Sequence, residues 1–120
     1  MSAPNELVES HQADMPILVK HITAAYTVHL KKVYANSKQD LDRRLGICKD
    51  IDLHDGSTKA EAYGPKALQR QRDRWVLSGK SRKYCNCLTN NAIRMFRWAV
   101  SEELTGSTVL ERLKSTPESN

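Results

Sequence analysis

The sequence predicts an all-α protein, a bundle of four main helices closed by a short helix near the C-terminus. Three observations carry that expectation. Apolar residues return every three or four positions through most of the stretch from 17 to 113. Residues that start or stop helices fall between the periodic segments, at Ser37, Gly64-Pro65, Ser78-Gly79, Ser81 and Gly106. Nowhere does apolar and polar alternation run long enough to make a useful strand, and no internal repeat is evident. At 120 residues and 13.6 kDa the chain is one domain. A chain of this size buries roughly two thirds of its unfolded surface, enough for a core without a metal or a disulfide.

Residues 1–16 are polar, hold Pro4 and Pro16, and show no periodicity, so they read as a flexible leader before a helical domain over 17–116 and a short tail over 117–120. In the first helix, about 17–35, Leu18, Ile22, Tyr26, Leu30 and Val33 form one stripe, flanked by Val19, Ala25 and Tyr34, while Lys20, Lys31 and Lys32 face elsewhere. Ser37 followed by Asp40 has the form of a capping box, with the serine oxygen taking a free amide at the start of the second helix. That helix aligns Leu41, Leu45, Cys48 and Ile51 or Asp52, and ends in the turn-rich segment from Asp55-Gly56 to Gly64. Pro65 suits the first turn of a third helix, because proline lacks the amide that would be unpaired there. Leu68, Trp75 and Val76 make its apolar stripe, and Lys66, Arg70, Arg72 and Arg74 are left for the surface. Ser81 caps a fourth helix of about twenty residues. Its buried line is Cys85, Leu88, Ala92, Met95 or Phe96, Ala99 and Leu104, thickened by Val100, and its polar stripe is Asn86, Asn90, Arg94 and Arg97. Gly106 ends this helix and Ser107 caps the short fifth one, which carries Val109, Leu110 and Leu113.

Charge is unevenly distributed. Residues 1–63 hold 8 basic and 9 acidic side chains, residues 64–98 hold 9 and 1, and residues 99–120 hold 2 and 4. The middle block repels itself unless it is spread over a solvated face or matched by an anionic partner such as nucleic acid. Cys48, Cys85 and Cys87 are too few and too irregularly spaced for a secreted disulfide framework, which points to a reducing, cytoplasmic setting. The sequence has neither the start of a signal peptide nor an apolar run long enough for a membrane span.

The chemistry available on this scaffold is limited. Cys85-x-Cys87 invites a zinc site with Cys48 and His54, but side chains two apart on a helix point about 200° away from each other. Cys48 and Cys85 read as small core residues and Cys87 as an exposed, oxidisable one. His21, His29 and His54 lack partners that would make a general base, and Asp50, Asp52 and Asp55 lack the closing glutamate of a calcium loop, so they read as a solvated helix end. No cofactor, metal or catalytic set is expected. The polar stripe of the fourth helix is more informative: asparagine amides match adenine edges, guanidiniums match guanine, and a helix fits the major groove. Lys80, Arg82 and Lys83 at its start stand where cations and free amides hold phosphate together. Trp75, Phe96 and Trp98, at helical spacing, read as core. On composition alone, nucleic-acid binding, a protein-interaction bundle and a fragment of an enzyme all stay open.

The segment SGKSRKYCNCLTNNAIRMFRWAVSEELTGSTVLERLKSTP narrows this. Through Ser81, Arg82, Lys83, Asn86, Arg94, Phe96, Trp98, Ala99, Val100, Glu102, Glu103 and Leu104 it resembles the end of the N-terminal core-binding domain of tyrosine recombinases, the phage-integrase family. Arg97 stands for a lysine of the family pattern. Upstream, Tyr63-Gly64-Pro65-x-Ala67-Leu68 resembles the entry into that domain's third helix, and the likeness spans roughly 17–117. It implies a SAM-like bundle that clamps duplex DNA opposite a catalytic domain, with the second and fourth helices toward the major groove. By that resemblance Lys38, Arg43 and Arg44 on the second helix, and Arg82, Lys83, Asn86, Asn90 and Arg94 on the fourth, meet DNA, with Lys80 or Arg97 on phosphate. Cys87, Leu88, Asn91 and Ile93 occupy places that are basic in the family pattern, and Tyr84 and Cys85 replace a threonine and an isoleucine.

The family's nucleophilic tyrosine and its arginines and histidines belong to the catalytic domain, so Tyr26, Tyr34, Tyr63 and Tyr84 are not expected to cut DNA. The implied protein is the binding part of a site-specific recombinase, an excised domain or a truncated product, acting on double-stranded DNA beside a catalytic domain and other protomers. The alternative is a degenerate integrase-like bundle serving protein interaction or packing.

Overall fold

The computed structural model describes residues 15–115. Apart from Met15 and Pro16, the leader expected over 1–16 lies outside the described residues, as does the tail over 117–120. Five helices follow in order: α1 Val19–Val33, α2 Lys38–Asp55, α3 Pro65–Leu77, α4 Arg82–Ser101 and α5 Ser107–Lys114, with one 3-10 turn at Ala60–Ala62 between α2 and α3. Among the described residues no strand forms, and the one bridge of β type pairs Leu18 with Lys59.

The start of α1 is held by carbonyls of the loop after α2 and by one side chain, His21. Val19 N–H donates to Thr58 O at 2.8 Å and Lys20 N–H to Gly56 O at 3.0 Å, so the loop after α2 satisfies amides that a free helix start would leave to water. Gly56 is needed where the last turn of α2 closes, since a Cβ there would stand 2.4 Å from Asp52 O. His21, expected merely at the surface, accepts the Leu18 N–H at its Nδ1, 2.9 Å away.

The two serine caps differ. Ser81 is extended (φ −66°, ψ 154°) and its Oγ accepts from Tyr84 N–H at 3.1 Å, as expected. Ser37, at φ −131° and ψ 75°, makes no side-chain cap bond, because its backbone is not in the extended conformation that aims the hydroxyl at the first turn. At α5 the cap position is Gly106, and Ser107 is already the first helical residue without a cap bond.

The ends of α3 and α4 share one geometry. After α3, Gly79 (φ +100°) lets Lys80 N–H reach Trp75 O at 3.3 Å and its own N–H reach Val76 O at 3.0 Å. After α4, Glu103 takes the same left-handed turn (φ +60°), with Leu104 N–H on Ala99 O at 2.9 Å and Glu103 N–H on Val100 O at 3.0 Å. The stop of α4 is therefore at Glu102-Glu103, earlier than Gly106.

The core is one cluster drawn from every helix. On α4 the expected seam is buried from Cys85 to Ala99, with Cys85, Leu88, Ala92, Ala99 and both Met95 and Phe96 inside, while Leu104, past the end of the helix, is only half-buried. Phe96 stacks on the fully buried Tyr63 ring at 5.0 Å. On α1, Val19 rather than Val33 completes the stripe; Val33 is 57% exposed, and Tyr34 after it is the residue that packs partly against the core. On α2, Leu41 and Leu45 are half-buried while Ile47, Cys48 and Ile51 are buried.

The surface expected for α3 needs a larger correction. Arg72 is 5% exposed, because it stands one turn from Leu68 and from Trp75 and its aliphatic stem joins their stripe. Arg74 is half-buried, donating to Gln71 Oε1 at 2.6 Å and facing Asp55 Oδ2 at 3.6 Å. The acidic end of α2 is engaged in part: Asp50 accepts from Trp75 Nε1 at 2.8 Å and Asp55 faces Arg74, while Asp52 is exposed as expected, its Oδ1 3.4 Å from Thr23 Oγ1.

Candidate nucleic-acid interface

Along one flank, α2 and α4 border an open groove of about 390 Å³. Its walls are Arg43 and Arg44 from α2, and Lys83, Asn86, Cys87, Asn90, Asn91 and Arg94 from α4. Four of these are cationic, three are amides, one is a thiol, and none is a carboxylate. Both walls arise from helical period: Arg43 and Arg44 precede the buried Ile47 and Cys48 by one turn, and 83, 86, 87, 90 and 94 repeat every three or four residues opposite the seam. Six of the ten residues expected to meet DNA, Arg43, Arg44, Lys83, Asn86, Asn90 and Arg94, are thereby brought together.

The other four are placed differently. Lys80 lines an adjoining cleft with Asp42, Asp50, Trp75 and Tyr84, and Arg43 borders both clefts. Arg97 is exposed one turn beyond Arg94 on the same face of α4, and Arg82 is exposed at the helix start. Lys38 is paired with Asp42 at 3.1 Å, both well exposed, and lines neither cleft.

Within the groove the cations are held differently. Arg43 Nη1 stands 3.9 Å from Asp40 Oδ1, a loose pair that solvent screens. Arg44 is half-buried, donates Nη1–H to Asn91 Oδ1 at 2.8 Å, and lies with Cζ 4.5 Å from the centroid of the Tyr34 ring. Behind α4, Trp98 packs on Tyr26 at 5.3 Å and on His29 at 4.9 Å, as its core reading requires. Burial raises the pKa of the Tyr26 phenol, against the pull of the nearby Arg44 and Arg94 guanidiniums.

Two groove residues, Cys87 and Asn91, were not among the expected contacts. Asn91 is 7% exposed and Cys87 is exposed, whereas Cys48 and Cys85 are buried. Tyr34, expected as a flank of the first helix, lies against Arg44 and lines neither cleft. Asn91 had a signal: one step from Asn90 and next to Ala92, it sits on the seam side of the helix, where an amide needs a partner. Among the described residues no three His, Cys, Asp or Glu side chains gather as a metal set would, and no helix is long and apolar enough to cross a membrane. Comparison with protein-family models, with curated proteins and with solved structures returned no match to this chain.

Proposed function

We propose that this chain binds double-stranded DNA through the α2–α4 groove, as the SAM-like core-binding module of a tyrosine recombinase does, and positions the duplex for strand exchange by a separate catalytic domain. The observation that carries the reading is the groove's composition: four cations and three amides line it, and no carboxylate does. Phosphates are attracted by the cations, and amides and guanidiniums supply the bidentate donors and acceptors that base edges take. The polar face of α4 from Lys83 to Arg97 runs for about 21 Å at 1.5 Å per residue, the length of about six base-pair steps in a major groove. Strand cleavage is no part of this proposal; the chain's role is grip and orientation.

The test is a titration of a fluorescein-labelled 20-base-pair duplex by anisotropy at several salt concentrations, comparing the native chain with Arg94→Ala and Lys66→Ala. Lys66 is exposed on α3 and lines neither cleft. Binding is expected to weaken steeply with salt, and Arg94→Ala to cost about tenfold in affinity and about 0.9 in the salt slope, with Lys66→Ala close to native. Salt-independent binding, or equal effects of the two substitutions, contradicts the assignment.

A further inference from the structure

The groove has a strut across its floor. Arg44 reaches from α2 to α4 and bonds Asn91 at 2.8 Å, its plane rests on Tyr34 at the end of α1, and its Nε is buried without a partner. On the α4 side, Asn91 is almost fully buried, and its Nδ2 approaches Cys87 Sγ at 3.8 Å. Of the five guanidinium N–H donors, one on Nη1 is committed to Asn91 and the Nε–H is enclosed, while Cζ lies over the Tyr34 ring. The Nε–Nη2 edge is therefore closed to a phosphate, which needs two parallel donors presented to solvent, and the Nη1–Nη2 end has already given one donor to Asn91.

We infer that Arg44 is a positioning residue rather than a DNA contact: with Asn91 and Tyr34 it sets the spacing between Arg43 on one wall and Lys83, Asn90 and Arg94 on the other. The inference rests on the DNA-binding reading and revises one of its contacts. Arg43 and Arg94 act on phosphate from opposite sides, so the groove grips a duplex only while α2 and α4 keep their separation. Asn91 is the residue that makes this possible on α4. An arginine or lysine there would place a second cation against Arg44, whereas the amide offers an oxygen at hydrogen-bond distance. Tyr34, the C-cap residue of α1, supplies the remaining contact, so three helices bear on one guanidinium.

Salt dependence separates the roles, because a side chain that neutralises a phosphate contributes to the slope of log affinity against log salt and a strut does not. The experiment uses the same labelled duplex with the full chain carrying Arg44→Met, Asn91→Leu, both together, Tyr34→Leu, or Arg43→Ala. Circular dichroism melts establish that each variant is folded at the assay temperature. Arg44→Met and Asn91→Leu are each expected to weaken binding by about fivefold with the native slope retained, and together to weaken it little further, as partners in one contact do. Tyr34→Leu, which alters neither the charge nor the groove lining, is expected to act in the same direction and covers the case in which Arg44→Met fails to fold. Arg43→Ala lowers the slope by about 0.9. A comparable fall in slope with Arg44→Met makes Arg44 a phosphate contact and overturns the proposal. Unchanged affinity in Arg44→Met or Tyr34→Leu with a lowered melting temperature makes the strut purely structural and also overturns it. Failure of the native chain to bind any duplex removes the DNA reading itself, and this role with it; that outcome is distinct from both of the others.

Discussion

The C-terminus of α4 turns through a glutamate where α3 uses glycine, and this difference has a calculable cost. Glu103 sits at φ +60° and closes the turn with the same two backbone hydrogen bonds that Gly79 makes possible at φ +100°. An L-residue in the left-handed region is disfavoured by roughly 1–2 kcal/mol. Glycine returns about 0.5–1 kcal/mol of that through its greater freedom in the unfolded chain. Glu103 is exposed, and its charge stands at the negative end of the helix dipole, where removal gains a few tenths of a kcal/mol, on the order of 0.3. Glu103→Gly is therefore expected to stabilise the protein by about 1 kcal/mol, a rise of about 4 °C in Tm for a domain of this size. Thermal unfolding followed at 222 nm measures it. Glu103→Ala, which removes the charge and keeps the Cβ, separates the two contributions and is expected to recover less than half of the gain. Gly79→Ala is the reciprocal change and is expected to lose about 1 kcal/mol. If Glu103→Gly is neutral, or Glu103→Ala matches it, the backbone argument is refuted and the gain, if any, is electrostatic.

Three other outcomes follow from the same structure. Burial lifts the Cys48 thiol from 9.0 to about 11, so between those values the unfolded chain has lost a proton that the folded chain keeps. For this thiol stability is full below pH 9 and falls as pH rises through the window, by about 2–3 kcal/mol at most; the phenols of Tyr26 and Tyr63, which burial also raises above 10.0, join it above pH 10, so Cys48→Ala should remove the part of the alkaline limb seen in melts taken from pH 8 to 10. An unchanged limb would show that the thiol does not carry it. Of the three thiols only Cys87 is exposed, so one should react quickly with Ellman's reagent in the native protein and three in denaturant, and added duplex should slow the fast one because it lines the groove; no protection means that DNA lies elsewhere. Asp40→Asn removes the carboxylate beside Arg43 and is expected to raise duplex affinity several-fold at low salt, with Tm changed by less than about 2 °C because so exposed a pair contributes little; weaker binding would argue against phosphate at Arg43.

The helices were legible because they are made by periodicity and punctuation. The α4 seam from Cys85 to Ala99, Pro65 at the first turn of α3, Ser81 as a cap and the stop at Ser78-Gly79 all appear where the residue types place them. Six of the ten expected contacts share one groove because a stripe on a helix stays a stripe once the opposite face is buried. What was hidden depends on the partner across the gap. Arg72 reads as surface by charge but is buried by position, Asn91 reads as a lost cation but receives one, and Asp50 reads as solvated but accepts from Trp75. Ser37 and Glu103 fail for a different reason: capping statistics assign serine to helix starts and glycine to left-handed stops, while loop geometry at these two junctions overrides the preference.

Charge along the chain and charge in the groove are different quantities. Of the nine cationic residues between 64 and 98, only Lys83 and Arg94 line the groove; Arg72 is buried and Arg74 faces Asp55. The other two groove cations, Arg43 and Arg44, come from the first half of the chain, where basic and acidic residues nearly cancel. That cancellation is undone by the helix: Asp42 borders the neighbouring cleft with Lys80, while Arg44, two residues on and about 200° around the axis, faces α4. A near-neutral segment thus supplies half of the groove's positive charge: α2 turns Arg44 away from Asp42, while Arg43, beside Asp40, borders both clefts. The basic character of the site is a product of how α2 and α4 pair, so substitutions that alter the pairing at Arg44, Asn91 or Tyr34 should change duplex affinity as surely as those that remove a charge at Arg43 or Arg94.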